Sequence, residues 1–192
     1  MLHIIFDYDY TLFDKNNIEL SMKLLSLTSK LNTEVSLLTG NDKKNLINIE
    51  HFKYIISNQG NYDVRNNKYI QPSLLLSTKD KEIISKFLEN YYDKDISICS
   101  SNNKNRDELY EKLILIPELS SYKILKTGKT SIEIMKKEVS KLIGYEYIKS
   151  LVGDDKTILY ITDIDDIPEL KINKIIISSM EWLYDFLIKN FI

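Results

Sequence analysis

"HIIFDYDYTLFD", residues 3 to 14, decides how the rest of the chain is read. A short apolar run, Leu2 to Phe6, ends in two aspartates one residue apart, Asp7 and Asp9. If that run is a central strand of an open parallel sheet, both carboxylates stand beyond its carboxyl end, where such sheets bind ligands. Side chains alternate along a strand, so residues 7 and 9 share a side. Neighbouring carboxylates repel, and both stay ionised only if a cation lies between them; otherwise one holds a proton. Either arrangement is useful chemistry. With Mg2+ present, one aspartate can attack phosphorus while its protonated neighbour gives a proton to the leaving oxygen. The plain alternative is an Asx turn or a helix cap. A calcium loop fails, because Leu12 sits where an EF-hand needs Gly and Ile18 where it needs its closing Glu.

The bulk properties narrow the classes. At 192 residues, 43% hydrophobic and 28% charged, the chain suits one compact domain with a modest insertion. Its 26 basic and 28 acidic residues are dispersed, giving a net charge of -2 and a pI near 5.8, which does not suggest a nucleic-acid partner. The single cysteine, Cys99, cannot form an internal disulfide. The N-terminus lacks the pattern of a signal peptide, and no apolar run approaches the roughly 20 residues of a membrane span. A cytoplasmic protein without a membrane role is expected, as monomer or homodimer.

Strand and helix patterns alternate outward from the opening strand. Leu20, Leu24, Leu27 and Leu31 repeat at helical steps, "EVSLLTG" reads as a second strand, 42 to 50 as a short helix and "YIIS" as a third strand. This βαβαβ start predicts a Rossmann-like, doubly wound, mostly parallel α/β sheet. "YDVRNNKYI" predicts a hairpin turning at Asn66-Asn67. A helix over 79 to 91, the strand "DISICS", a helix over 106 to 116 and the strand "YKIL" follow. The segment 61 to 125 is therefore expected to be a small inserted α+β cap, with 1 to 60 and 126 to 192 forming the core. A helix is predicted over 131 to 143, with Ile132, Met135, Val139 and Leu142 on one face, then the strands "TILYIT" and "KIIIS" and a closing helix with Trp182, Leu183, Phe186 and Leu187.

"FDYDYTLF" resembles the first motif of the haloacid dehalogenase (HAD) superfamily of phosphatases, Asp-x-Asp-x-Thr after an apolar strand, at Asp7, Asp9 and Thr11. "VSLLTGN" is similar to the second, which implies that Thr39 and Gly40 bind a phosphate oxygen; Asn41 stands where members with a type II cap often have Arg. "ISNQGNYDVRNNKYI" resembles the entry to a type II cap, with Asn58 and Gly60 aligned and Gln59 as one extra residue. For the third motif, a lysine ahead of a helix, "TGKTSIEIMKKE" offers Lys129, with Lys126 its rival. A P-loop reading of Gly128-Lys129-Thr130 fails, because Lys123 occupies the position of its first glycine. The fourth motif, an acidic cluster after a strand, is matched by "TDIDDIPEL", with Asp163 as ligand and Asp166 in support, in preference to Asp154 and Asp155.

The resemblance implies a HAD-like core with a type II cap. Within that group the chain is similar to the branch of trehalose-phosphate, sucrose-phosphate and mannosylglycerate-phosphate phosphatases and phosphomannomutases. It further implies a Mg2+-dependent phosphatase acting on a small phosphorylated metabolite, such as a sugar phosphate, through an aspartyl-phosphate on Asp7, with Asp9 as acid and base. Mg2+ would involve Asp7, Asp9, Asp163 and Asp166; substrate contacts would involve Asn58, Arg65 and Arg106. The alternatives are a phosphosugar mutase, weakened because Arg65 and Arg106 are the only arginines to hold a second phosphate, and a non-catalytic HAD-like binding protein.

Overall fold

The computed structural model describes residues 2–101, 103–127, 130–171 and 173–192. In chain order the first elements are β1 (Leu2–Phe6), α1 (Ile18–Thr28), β2 (Glu34–Leu38), β3 (Ile55–Ser57), β4 (Tyr62–Asp63) and β5 (Lys68–Tyr69). Then come α2 (Thr78–Ser85), β6 (Tyr91–Asp93), β7 (Ser97–Ser100), α3 (Arg106–Leu113), β8 (Tyr122–Thr127) and β9 (Ser131–Lys136). The chain closes with α4 (Lys141–Val152), β10 (Thr157–Thr162), β11 (Lys174–Ile176) and α5 (Met180–Phe191). Two compact units result: Met1–Ile70 with Ser140–Ile192, and Gln71–Val139.

The first unit holds a seven-stranded sheet in the order β11-β10-β1-β2-β3-β4-β5. The strands from β11 to β3 pair in parallel, and β4 and β5 add an antiparallel hairpin. Both faces of β1 are buried, as an apolar run of this kind requires. Ile4 and Phe6 pack with Leu24, Leu25, Leu183 and Leu187 from α1 and α5. Ile5 turns to the other face and packs with Tyr145 and Ile148 of α4. Helices thus cover both faces, as expected of a doubly wound sheet. Each helix start in this unit is capped by a side chain: Asn17 before α1, Ser140 before α4 and Ser179 before α5 accept main-chain N–H groups of their own first turns.

The second unit is an antiparallel sheet in the order β6-β7-β9-β8. Ile84 of α2 and Leu113 of α3 pack with Ile98, Ile132 and Ile134. No helix among the described residues is long and apolar enough to cross a membrane.

Four differences from the sequence-based expectations have physical causes. The span 131 to 143 is no helix: Ile132 and Ile134 alternate with Glu133 and Met135 along β9, which pairs with both β7 and β8. The helix begins ten residues later, at Lys141, behind the Ser140 cap. The inserted unit accordingly runs from Gln71 to Val139 rather than 61 to 125, because hairpin β4–β5 pairs onto β3 and β9 completes the second sheet. The helix expected over 79 to 91 stops at Ser85; Asn90 takes a left-handed turn, with φ 50°, and Tyr91 opens β6. Within 42 to 50 only a 3-10 turn, Lys43–Asn45, forms.

At the amino edge of the first sheet, Glu34 accepts from Lys156 at 2.5 Å and from Lys53 at 2.6 Å, with the His3 ring at 3.4 Å. These hydrogen bonds, Lys156 first, hold its carboxyl down at about 2 against an ordinary 4.5. A depressed carboxylate stabilises the fold above its unfolded value, and that stability is lost as pH falls from about 4.5 to 2. Glu34 is one-third exposed, so solvent screening reduces the effect; Glu34→Gln should cost about 1 kcal/mol at pH 7 and nothing near pH 2 in urea unfolding. A cost independent of pH would contradict this account.

Candidate active site

β1 ends by extending its ladder one residue: the Asp7 N–H donates to the Ile161 carbonyl of β10 at 2.8 Å, which aims the Asp7 side chain beyond the carboxyl edge. Period two places that side chain on the face of Ile5, the face that α4 covers. Asp7 is 4% exposed, and its Oδ1 accepts the Tyr8 N–H at 2.7 Å. The same oxygen lies 2.8 Å from Lys141 Nζ, and this ammonium is also 2.5 Å from Asp166 Oδ2. Asp166 in turn accepts the Tyr160 hydroxyl, at 3.1 Å to each oxygen. Lys141 is the first residue of α4, so the Ser140 cap that starts the helix also fixes where the ammonium stands.

The electrostatics follow from burial and this one cation. Burial pushes Asp7 up to about 6, against the downward pull of Lys141 and with a further upward push from Asp166. Burial alone would lower Lys141, but Asp7 and Asp166 outweigh it and raise its pKa well above the ordinary lysine value. Burial, with Asp7 and Asp166 adding to it, carries the Tyr160 phenol well above its usual range. At neutral pH the cluster therefore holds an ionised Asp7 against a charged lysine.

The loop after β1 folds tightly. Tyr10 adopts φ 57° and its N–H donates to the Phe13 carbonyl at 2.8 Å. That turn leaves Asp9 beside β2, where Asn41 Nδ2 donates to Asp9 Oδ1 at 2.9 Å. Thr11 is fully buried, and its hydroxyl donates to Asp163 Oδ1 at 3.4 Å. Thr39, also fully buried, ends the β2 segment with its N–H on the Ile56 carbonyl at 2.9 Å; its Oγ1 accepts the Asn41 N–H at 3.1 Å. As an acceptor there, the Thr39 hydroxyl has its own proton to donate. Gly40 follows in the same loop, with the Gln59 side chain so close that a Cβ would meet Nε2 at 2.9 Å.

Three consecutive left-handed residues follow β3: Asn58 (φ 51°), Gln59 (φ 55°) and Gly60 (φ 82°). The Asn58 N–H donates to the Asn41 carbonyl at 2.8 Å, and its buried Oδ1 has no hydrogen-bond partner among the described residues. A Cβ on Gly60 would lie 2.8 Å from Lys141 Cα, and one on Gly144 would lie 2.8 Å from the Gly60 carbonyl oxygen. The helix bearing Lys141 thus meets this turn backbone to backbone. Gly60→Ala should cost about 2 kcal/mol or more in urea unfolding, through the left-handed φ and the displaced helix start. An unchanged unfolding midpoint would refute the close approach.

The sequence-derived residues fare differently. Asp7, Asp163 and Asp166 stand at the carboxyl edge of β1 and β10, and Asp9, Thr39, Gly40 and Asn58 on the loops beside it. Lys129 lies outside the described residues. The lysine beside Asp7 is Lys141, which the sequence reading missed. Its signal was present: Ser140 as a cap, with Leu142, Tyr145, Ile148 and Val152 at helical steps behind it. Asp166, expected to support a metal, accepts from Lys141 and Tyr160. Arg65 is in the first unit, where its Nη2 donates to the carbonyls of Glu50 at 2.6 Å and Phe52 at 2.7 Å. Arg106 opens α3 and pairs with Asp107 at 3.1 Å. Asp154 and Asp155 are exposed in the turn after α4.

Asp7 and Asp163 each stand one residue past the ends of the paired strands β1 and β10. Burial raises both carboxyls above their ordinary value, an unfavourable state that a bound cation relieves. Among the described residues no three His, Cys, Asp or Glu side chains form a ready metal cage. Mg2+ does not require one, since it binds through one or two carboxylates and keeps several waters. The oxygen donors present fit that ion.

No family model matches the chain, and no curated protein matches it. Solved structures do. A phosphatase of the haloalkanoate (HAD) superfamily from Bacteroides thetaiotaomicron superposes with a TM-score of 0.65 at 14% identity, over 97% of this chain and 94% of that one. The fold is that of the HAD phosphatases. Among the similar structures are a HAD subclass IIB sugar phosphatase, with a TM-score of 0.66 at 12% identity over 88% of this chain and 84% of that one, and the C-terminal domain of the C. albicans trehalose-6-phosphate phosphatase, with 0.56 at 15% identity over 83% and 68%.

Proposed function

We propose that the chain hydrolyses a phosphate monoester of a small metabolite, a sugar phosphate, through an aspartyl-phosphate on Asp7. The observation that carries this reading is the buried Asp7 carboxylate, held by Lys141 at the carboxyl edge of the sheet with Asp9 two residues on. Both contacts named for Asp7, from Tyr8 and Lys141, address Oδ1, so Oδ2 is the oxygen for in-line attack on phosphorus. As that bond forms, the bond from phosphorus to the leaving oxygen breaks, and Asp9 gives that oxygen its proton. Asp9 then takes a proton from water, which attacks the aspartyl-phosphate, releases inorganic phosphate and restores Asp7. Lys141 offsets the charge that Asp7 and the phosphoryl group bring together, and the Thr39 hydroxyl with the main chain at Gly40 addresses a phosphoryl oxygen. Asp7 and Asp163 would hold Mg2+, whose charge lets a phosphate dianion approach an anionic nucleophile.

A mutase would need a second phosphate anchored by forked arginines, and Arg65 is already committed to main-chain carbonyls of the first unit. The test is phosphate release from p-nitrophenyl phosphate, hexose phosphates, nucleotides and phosphoglycerates, with Mg2+ and with EDTA. Hydrolysis that requires Mg2+ and is fastest with a sugar phosphate is expected. No release from any ester would favour the non-catalytic reading, and activity undiminished by EDTA would remove the metal.

A further inference from the structure

Eight residues other than glycine take a left-handed backbone among the described residues, and seven of them are Asn, Asp or Gln. The eighth is Tyr10, at φ 57°. Asn and Asp enter this region readily, whereas a bulky side chain there is strained. The loop holds Tyr10 in that state: its N–H donates to the Phe13 carbonyl at 2.8 Å, and Asp9 is bridged to Phe13. Nothing in the side chain's own contacts offsets the strain. Tyr10 is 43% exposed, and among the described residues its ring meets no other ring and its hydroxyl has no hydrogen-bond partner. Both neighbours are anchored at the carboxyl edge, Asp9 to Asn41 Nδ2 at 2.9 Å after β2 and Thr11 to Asp163 Oδ1 at 3.4 Å after β10. Tyr10 is thus suspended between two fixed residues on the loop that leads away from the nucleophile.

We propose that Tyr10 is a specificity-determining residue whose ring stacks against a ring of the leaving group, so that cyclic sugar phosphates are preferred over open-chain phosphate esters. This rests on the phosphatase reading. The leaving oxygen is the one that Asp9 serves, so the group attached to it emerges beside the next residue of the loop. Backbone strain persists only where the surrounding structure enforces it, and strained positions cluster at ligand sites. A tyrosine suits a pyranose. Its ring is flat and loses little freedom on binding, its face covers the C–H face of the sugar, and its free hydroxyl can bond a sugar hydroxyl at the rim.

The test compares kcat/KM for a hexopyranose phosphorylated on its primary hydroxyl with kcat/KM for glycerol phosphorylated on its primary hydroxyl, two esters that ask the same proton donation of the protein. The parent should prefer the cyclic ester. Tyr10→Asn removes the ring and supplies a residue that accepts the left-handed turn; it should lower that preference on the order of 10-fold, chiefly through KM for the cyclic ester. Tyr10→Phe should keep most of the preference. The urea unfolding midpoint of Tyr10→Asn should equal or exceed the parent's, which separates loss of the platform from loss of the fold. A midpoint well below the parent's would make the ring a packing element and overturn the inference. A parent without the preference, or a Tyr10→Asn variant that loses both esters equally or keeps the parent's preference, also overturns it while leaving the phosphatase reading standing. A parent that hydrolyses neither ester nor p-nitrophenyl phosphate overturns both.

Discussion

Asp7→Asn is expected to abolish ester hydrolysis, by about 10^4-fold or more, because the amide cannot attack phosphorus. The same substitution should stabilise the protein in EDTA. Burial raises the Asp7 carboxyl from 3.8 to about 6, so the unfolded chain gives up this proton first and folding stability falls as pH rises between those values. Asparagine removes that penalty, about 3 kcal/mol at pH 7, and the unfolding midpoint should rise. Below pH 4 the two proteins should converge. Parental turnover in the variant would end the nucleophile assignment, and a lower midpoint at pH 7 would contradict the burial account.

Lys141→Met should be the next most damaging change. It removes the cation between Asp7 and Asp166 and leaves two buried carboxylates facing each other, so activity should fall by about 10^3-fold. Stability should drop by about 3 kcal/mol at pH 8 and recover toward pH 5, where one carboxyl takes up a proton in place of the lost ammonium. Steady-state kinetics with urea unfolding at both pH values measures the two effects. A comparable kinetic loss in Lys129→Met, with Lys141→Met active, would restore the lysine chosen from sequence.

What the sequence made legible was local. Ile4, Ile5 and Phe6 form a run too apolar for a strand with a wet face, so β1 had to be central, and Asp7 and Asp9 had to sit at its carboxyl end. β10 was readable for the same reason, and with it Asp163. Around Ile132 the pattern was ambiguous, because Ile132, Met135, Val139 and Leu142 satisfy helical steps while Ile132 and Ile134 satisfy strand alternation. Pairing with β7 and β8 settles that choice, and pairings between distant segments leave little trace in a local pattern. Taking this strand for a helix moved the helix start by ten residues and left Lys141, the first residue of α4, out of the reading. The contact of Asn41 with Asp9 was likewise hidden, since it depends on two loops meeting in space.

The first unit is assembled from two stretches of chain separated by the second, and this orders events during synthesis. Asp7 leaves the ribosome early, with β2 and β3 soon available as neighbours, but β10, Lys141 and Asp166 emerge only after the whole inserted segment. Until then β1 is an apolar edge strand with one open side, the kind of edge that invites pairing between chains. A chain stalled near residue 139 would carry the nucleophile with neither its cation nor its flanking strand, so it would be inert and prone to aggregate. The arrival of β10 closes that edge and, through the helix just before it, completes the charged centre in the same stage of folding.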